Sequence, residues 1–386
     1  MGLQNEIIFR ETLLMPYKKH ILLFLLINLF CQTPIKAGLR DSVSYSLDLK
    51  FHYGFAIPHY PNMVYIINDY IKGGELDLVI RRYRSNSWEN NYNRLETGVG
   101  IWFSTLGRKD IYGNGVALYP FINIKMLQLG RLDVKSKVAF GLGYVNKPFD
   151  VGKNTFNLLM GSNINAYIGL GLTLYYPVSD KISLNTGLAL THMSNGSSRK
   201  PNNGINIATL SIGATYKLTP DKPAVKNIEI PAIPARELLF TVSAGRNQAV
   251  FNNPKVYWSG SITATHLWHK TDKISYGAGL DLIRYGGAPF AFDDYQHIEA
   301  NQSPGFNDCF FMGAFGTAEF HLGSTALYLA PGVYLYHKTK PLQPVYARLG
   351  IRQKIAGNFL FHFGIKASYF VAEFLEFGVG YRFRYN

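Results

Sequence analysis

The chain has 386 residues, a formal charge of +14 from 39 Lys and Arg against 25 Asp and Glu, and 15% aromatic content, with 26 Tyr, 26 Phe and 37 Gly. Past its first forty or so residues it holds no run of eighteen apolar residues, which excludes a transmembrane helix, and it keeps a single cysteine, Cys309, which excludes an internal disulfide and a cysteine metal site. Tyr, Phe and Gly in short alternating segments instead mark strands with aromatic girdles, and the basic balance points to an anionic lipid surface, not to nucleic acid.

The N-terminal stretch reads as a leader. Met15-Pro16-Tyr17-Lys18-Lys19-His20 is basic, Ile21 to Phe30 is almost unbroken apolar chain, and Ala37 supplies a small residue after it. That order predicts a secretory signal peptide over 1–37, with an apolar core too short to span a bilayer, and hence export to a Gram-negative outer membrane. Residues 1–14 add nothing to that pattern, and Met15 is the expected start.

Strands follow to the end of the chain. Period-two alternation predicts them over 44–57, 74–84, 95–105, 113–126, 134–145, 163–175, 179–194 and 204–218. After a Pro-rich break at 219–235 they resume over 236–247, 255–268, 272–285, 307–322, 325–338, 343–354, 357–367 and 371–384. Each is long enough to cross a bilayer at a tilt. The expectation is an all-β, transmembrane antiparallel barrel of 14–16 strands. Short turns at 177–181, 269–273, 322–324 and 356–358 alternate with longer links at 195–203, 248–254 and 286–306, as in a barrel with both ends on the periplasmic side. The 219–235 linker divides a first half, 38–218, from a second, 236–386. One closed barrel with a periplasmic excursion is expected, two eight-stranded barrels being the alternative. The last strand ends Tyr381-Arg382-Phe383-Arg384-Tyr385-Asn386, an aromatic alternation like that of outer-membrane C-terminal strands.

One stretch carries chemistry: Thr191-His192-Met193-Ser194-Asn195-Gly196, followed by Lys200-Pro201-Asn202-Asn203-Gly204-Ile205-Asn206. Leu184, Leu188 and Leu190 share one strand face, and that face continues through His192 and Ser194. In the next strand Ala208, Leu210 and Ile212 form the apolar face, and Asn206 has their parity. Three polar groups therefore fall on the lipid side near a rim, where polar side chains are costly unless partnered. An imidazole two residues from a hydroxyl on one face can take its proton and make Ser194 a nucleophile. Donors of Asn195, or the backbone at Gly196, are candidates for oxyanion stabilisation. Taken alone, a rim His and Ser are ordinary headgroup-zone residues, and Asn206 suits a strand start as well as it suits a catalytic role.

His-x-Ser-Asn-Gly followed by Pro-Asn-x-Gly, between the last two strands of an eight-stranded unit, resembles the PagL-type lipid A 3-O-deacylases. The resemblance spans roughly 44–218 and is tightest over 190–218, while the second half is similar to the longer acyloxyacyl hydrolase-like barrels of Bacteroidetes-type bacteria. It implies an outer-membrane hydrolase of a lipopolysaccharide acyl ester with a Ser-His-Glu triad, no cofactor and no metal. Ser194 then matches the nucleophile, His192 the base and Asn195 the oxyanion residue. The family's Glu falls at Asn206, and no Asp or Glu occurs between Lys181 and Pro220 to replace it. An Asn can orient the His but cannot balance an imidazolium with charge, so a slower enzyme is implied. The rival is a non-catalytic barrel, a pore or an envelope structural protein, which a sixteen-stranded lumen would suit. Oligomeric state is left open.

Remaining candidates are weaker. Asp293, Asp294, His297 and Glu299 in the 286–306 link read as solvated loop acids more readily than as a cation site. Glu373 and Glu376, three apart, share no strand face and do not form a carboxylate pair.

Overall fold

The computed structural model describes residues 43–59, 63–83, 92, 95–221, 236–250, 254–292, 305–341, 343–368 and 371–385. The leader, the centre of the linker and the 293–299 acids lie outside them. Eight strands make a first unit: β1 (Val43–Ala56), β2 (Ile71–Arg82), β3 (Glu96–Thr105), β4 (Asn114–Leu129), β5 (Leu132–Val145), β6 (Ile164–Pro177), β7 (Ile182–Ser194) and β8 (Ile205–Lys217). Eight more make a second: β9 (Arg236–Gln248), β10 (Val256–His269), β11 (Ile274–Arg284), β12 (Phe310–Leu322), β13 (Thr325–His337), β14 (Val345–Ala356), β15 (Phe359–Ser368) and β16 (Val371–Tyr385).

Each unit closes on itself, so the expected single barrel is corrected to two. β1 pairs with β8 from Ser46↔Lys217 to Ala56↔Ile207, and β16 pairs with β9 from Phe377↔Ala244 to Tyr385↔Arg236. With both of its sides taken, β8 has no edge to offer β9, and neither sheet is left with an open edge.

The pleat explains both surfaces. Outward positions carry Leu49, Phe51, Tyr53 and Phe55 on β1, Leu210 and Ile212 on β8, and Val242, Ile262, Leu280 and Val379 on the second barrel, all exposed. So much bare aliphatic and aromatic surface is a lipid-facing band. Inward positions carry charge. In the first barrel Lys50 bonds Glu75 at 2.8 Å, Lys137 bonds Asp77 at 2.6 Å, and Glu96 takes both Arg81 and Lys135 at 2.6 Å. In the second, Arg348 bridges Glu376 at 3.0 Å and also Asp281, while Arg382 joins Glu237 and Glu319 at 3.0 and 3.1 Å. Buried charges survive because each has a partner. Amid the Lys50, Glu75 and Lys137 cluster only about 20 Å³ stays empty, the space of one water. Toward the end that holds the short turns, the same interior opens into a cavity of about 480 Å³ lined by Arg81, Glu96, Lys135, Tyr175 and Asp221.

The barrels meet along their outer walls. Ile122 has outward parity on β4 yet is buried, in a cluster of Tyr92, Leu95 and Leu322 flanked by Ile124, Val138, Phe320 and Leu327. Phe140 and Phe363 rings lie 5.3 Å apart. The β2–β3 link is long for the end of the barrel that otherwise holds short turns, and its Tyr92 packs at a tilt against Phe320, ring centroids 5.0 Å apart, and donates to the His321 carbonyl. A second correction concerns Glu373 and Glu376. A register shift where β15 pairs with β16 turns both inward, Glu373 to Lys366 and Glu376 to Arg348. They share an interior yet answer different cations.

Candidate active site

β7 and β8 lie antiparallel with His192 directly opposite Asn206, Leu190 opposite Ala208 and Leu188 opposite Leu210. Leu190 and Leu210 are 44% and 64% exposed, so the face that carries His192 is the lipid-facing one, as the alternation predicts. His192 Nδ1 lies 2.7 Å from Asn206 Oδ1, and its Nε2 lies 3.0 Å from Ser194 Oγ. One imidazole thus bridges a hydroxyl and a carboxamide oxygen. Since Oδ1 only accepts, Nδ1 carries the proton and donates, which leaves Nε2 as the lone-pair nitrogen facing the hydroxyl. His192 and Asn206 are half-buried and Ser194 is 6% exposed.

The loop 195–204 holds this geometry. Gly204 has φ +71°, and a Cβ there would lie 2.9 Å from His192 Cε1 and 3.3 Å from Ser194 Cβ, so only glycine leaves the ring its place. Asn195 donates its backbone N–H to Asn202 Oδ1 at 2.8 Å, and its Nδ2 to Ser162 Oγ and the Arg199 carbonyl at 2.9 and 2.8 Å. As placed, the Asn195 side chain ties the loop together, its donors already engaged. Gly196 has φ +60°, and a Cβ on it would come within 2.4 Å of Leu375 Cγ in the second barrel.

That second barrel grips the far side of the loop. Ser197, 1% exposed with φ 63°, donates its hydroxyl to the Ala372 carbonyl, and its own carbonyl accepts the Gln248 N–H at 2.9 Å. Lys200 N–H donates to Gln248 Oε1 at 2.9 Å. Ser162, Gln248, Leu375 and His59, whose ring reaches Asn206, are all site residues that sequence reasoning missed. No local pattern marks them: His59 arrives through barrel closure, Gln248 and Leu375 through barrel contact, and Ser162 from the loop before β6, the strand paired with β7. Among the described residues no group of three or more His, Cys, Asp and Glu is placed to hold a metal, and Cys309 is buried, its thiol donating to the Gly286 carbonyl at 3.4 Å.

Two closed antiparallel eight-stranded barrels with apolar outer walls and charged interiors define a membrane β-barrel of the outer-membrane type, here with a His–Ser pair on its lipid-facing wall. The chain belongs to the PagL-related, acyloxyacyl hydrolase-like barrels. Residues 80–215 match the family model described as lipid A 3-O-deacylase (PagL), and residues 236–385 match the one described as acyloxyacyl hydrolase, C-terminal domain. Of solved structures, the chain is similar to neisserial surface protein A at 11% identity, over 47% of this chain and 100% of that one, with a TM-score of 0.30. It is similar to the outer membrane enzyme PagL at 16% identity, over 43% and 97%, with a TM-score of 0.29. The Pseudomonas putida toluene transporter TodX aligns over 92% and 93% at 10% identity and a TM-score of 0.17. No curated protein sequence matches.

Proposed function

We propose that the protein is an outer-membrane acyl-ester hydrolase acting on lipid A at the outer leaflet, with Ser194 as nucleophile. The observation that carries this reading is His192 held between Ser194 Oγ at 3.0 Å and Asn206 Oδ1 at 2.7 Å, on a wall that faces lipid. Ser194 Oγ attacks the ester carbonyl while His192 Nε2 takes its proton. The same proton then goes to the departing sugar or hydroxyacyl oxygen, which leaves an acyl group on Ser194. A water, deprotonated by His192, cleaves that ester and frees the fatty acid. Asn206 keeps the Nδ1–H of His192 in place throughout. The backbone N–H of Gly196 is the candidate donor for the oxyanion, and the Asn195 N–H would serve only by leaving Asn202 Oδ1, to which it now donates at 2.8 Å.

The position of the pair supports a lipid substrate. It sits where β7 ends, at the end of the barrel opposite the short turns of 130–131 and 178–181, so the acyl chains of a headgroup-level ester would lie along Leu188, Leu190 and Leu210. The family description of residues 80–215 names lipid A as the substrate class. A pore is the weaker reading, since side chains fill the first barrel at the level of Lys50, Glu75 and Lys137 and leave about 20 Å³ there.

Purified full-length protein, folded in detergent, is to be given lipopolysaccharide micelles, with released fatty acid measured by gas chromatography. Wild type should release one acyl species, and His192→Ala should release none above background. Equal release from the two proteins, both folded by heat-modifiable gel mobility, would end the proposal.

A further inference from the structure

Asn at position 206 poses a problem that a carboxylate would not. A carboxylate presents an accepting oxygen whichever way it turns, whereas a carboxamide presents an oxygen or an amino group. Only the oxygen keeps the proton on His192 Nδ1 and leaves Nε2 bare for the Ser194 hydroxyl. Turned over, Nδ2 would donate to Nδ1, the ring proton would move to Nε2, and the base would be lost. Something must therefore fix which way Asn206 faces.

The neighbouring strand supplies it. His59 lies three residues beyond the end of β1, and the closing pair Ala56↔Ile207, with Ile57 N–H donating to the Asn206 carbonyl at 2.7 Å, brings it beside the site. Its Nδ1 is 3.3 Å from Asn206 Nδ2, and its Nε2 is 2.9 Å from the Asn203 carbonyl. Nδ1 also lies 3.2 Å from the Ile57 carbonyl. A neutral ring has one proton. On Nε2 it satisfies the shorter contact, to Asn203, and leaves Nδ1 to accept the Asn206 amide N–H. On Nδ1 it would set the Nε2 lone pair against the Asn203 oxygen and point an N–H at the Asn206 amino group. The first arrangement satisfies the Asn203 and Asn206 contacts together, and it is the one that turns Asn206 Oδ1 toward His192.

We propose that His59 is a positioning residue: it fixes the Asn206 carboxamide and, through it, the His192 tautomer, so that a neutral third member serves in place of an acid. This rests on the roles proposed above for Ser194 and His192. The relay runs His59 Nδ1 to Asn206 Nδ2, Asn206 Oδ1 to His192 Nδ1, and His192 Nε2 to Ser194 Oγ, with one donor and one acceptor at every link.

The test is epistasis. Full-length wild type, His59→Ala, Asn206→Asp and the double variant are reacted with a fluorophosphonate ester, and the rate of single-adduct formation at Ser194 is read by intact mass and peptide mapping. In the Asn206 background His59→Ala should slow labelling roughly three- to tenfold, the bias one hydrogen bond holds between two amide orientations. In the Asn206→Asp background the same substitution should have no effect, because a carboxylate has no wrong way round. Wild-type labelling with His59→Ala unchanged overturns the inference alone. So does an equal deficit in both backgrounds, which would mean that His59 merely supports the loop. A wild type that does not label at Ser194 overturns the hydrolase reading and the inference together.

Discussion

Replacing Asn206 by Asp should make the protein a faster hydrolase. The side chains are isosteric, so the 2.7 Å contact to His192 Nδ1 can persist. What changes is charge, felt only when His192 takes the Ser194 proton and becomes an imidazolium. With centres ~4 Å apart, the attraction is ~4 kcal/mol at an effective dielectric of ~20 and ~1 kcal/mol in bulk water. His192 and Asn206 are half-buried, which places the gain toward the lower end, at ~1–2 kcal/mol. The neutral imidazole of the ground state feels little of it, so nearly all of it lowers the barrier, for roughly a five- to thirtyfold rise in rate. Fatty-acid release from lipopolysaccharide micelles gives the rate, alongside Asn206→Ala, which should be slower than wild type. If Asp and Ala variants both fold and both match wild type, Asn206 does not act on His192 and the triad argument fails.

Other predictions follow from the same geometry. Gly204→Ala should abolish most activity without unfolding the barrel, because its Cβ would sit 2.9 Å from His192 Cε1 in a φ +71° backbone; a folded, fully active variant would contradict the placement of the ring. Gly196→Ala should cost about tenfold in rate by pushing the loop off Leu375, and Leu375→Ala should restore part of the loss; absence of rescue would mean that the second barrel does not hold the loop. Glu96→Gln removes the carboxylate shared by Arg81 and Lys135 at 2.6 Å and leaves the buried Lys135 ammonium facing a neutral group, while the partly exposed Arg81 keeps Asp221 at 2.8 Å. It should cost the first barrel ~3–5 kcal/mol, visible as a lower urea midpoint for heat-modifiable mobility; an unchanged midpoint would show that water reaches that ammonium.

Strand positions were legible because alternation with a lipid-facing side is a local property. Sixteen predicted strands lie where sixteen are found, most ends within two or three residues. Closure was not legible. Whether β8 pairs with β1 or β9 is decided by partners 150 or more residues apart, and the inward and outward alternation is the same in one barrel or two. Parity read His192, Ser194 and Asn206 correctly onto one face, since β7 and β8 pair without a bulge there. It failed at Glu373 and Glu376 because the shift near Lys366 and Ala367 breaks the period of two. Asn195, expected from the resemblance to serve the oxyanion, has its side chain bonded within the loop, and its function remains a proposal. His59 and Gln248 carry no sequence mark. Each is an ordinary rim residue until closure or barrel contact sets it beside the 195–206 segment.

The most direct test of the account is mass spectrometry of lipid A from Gram-negative cells expressing the full chain as wild type or as Ser194→Ala, each confirmed folded in the outer membrane. The account predicts lipid A short of one ester-linked acyl chain with wild type and intact lipid A with Ser194→Ala. Identical lipid A from both strains would contradict it.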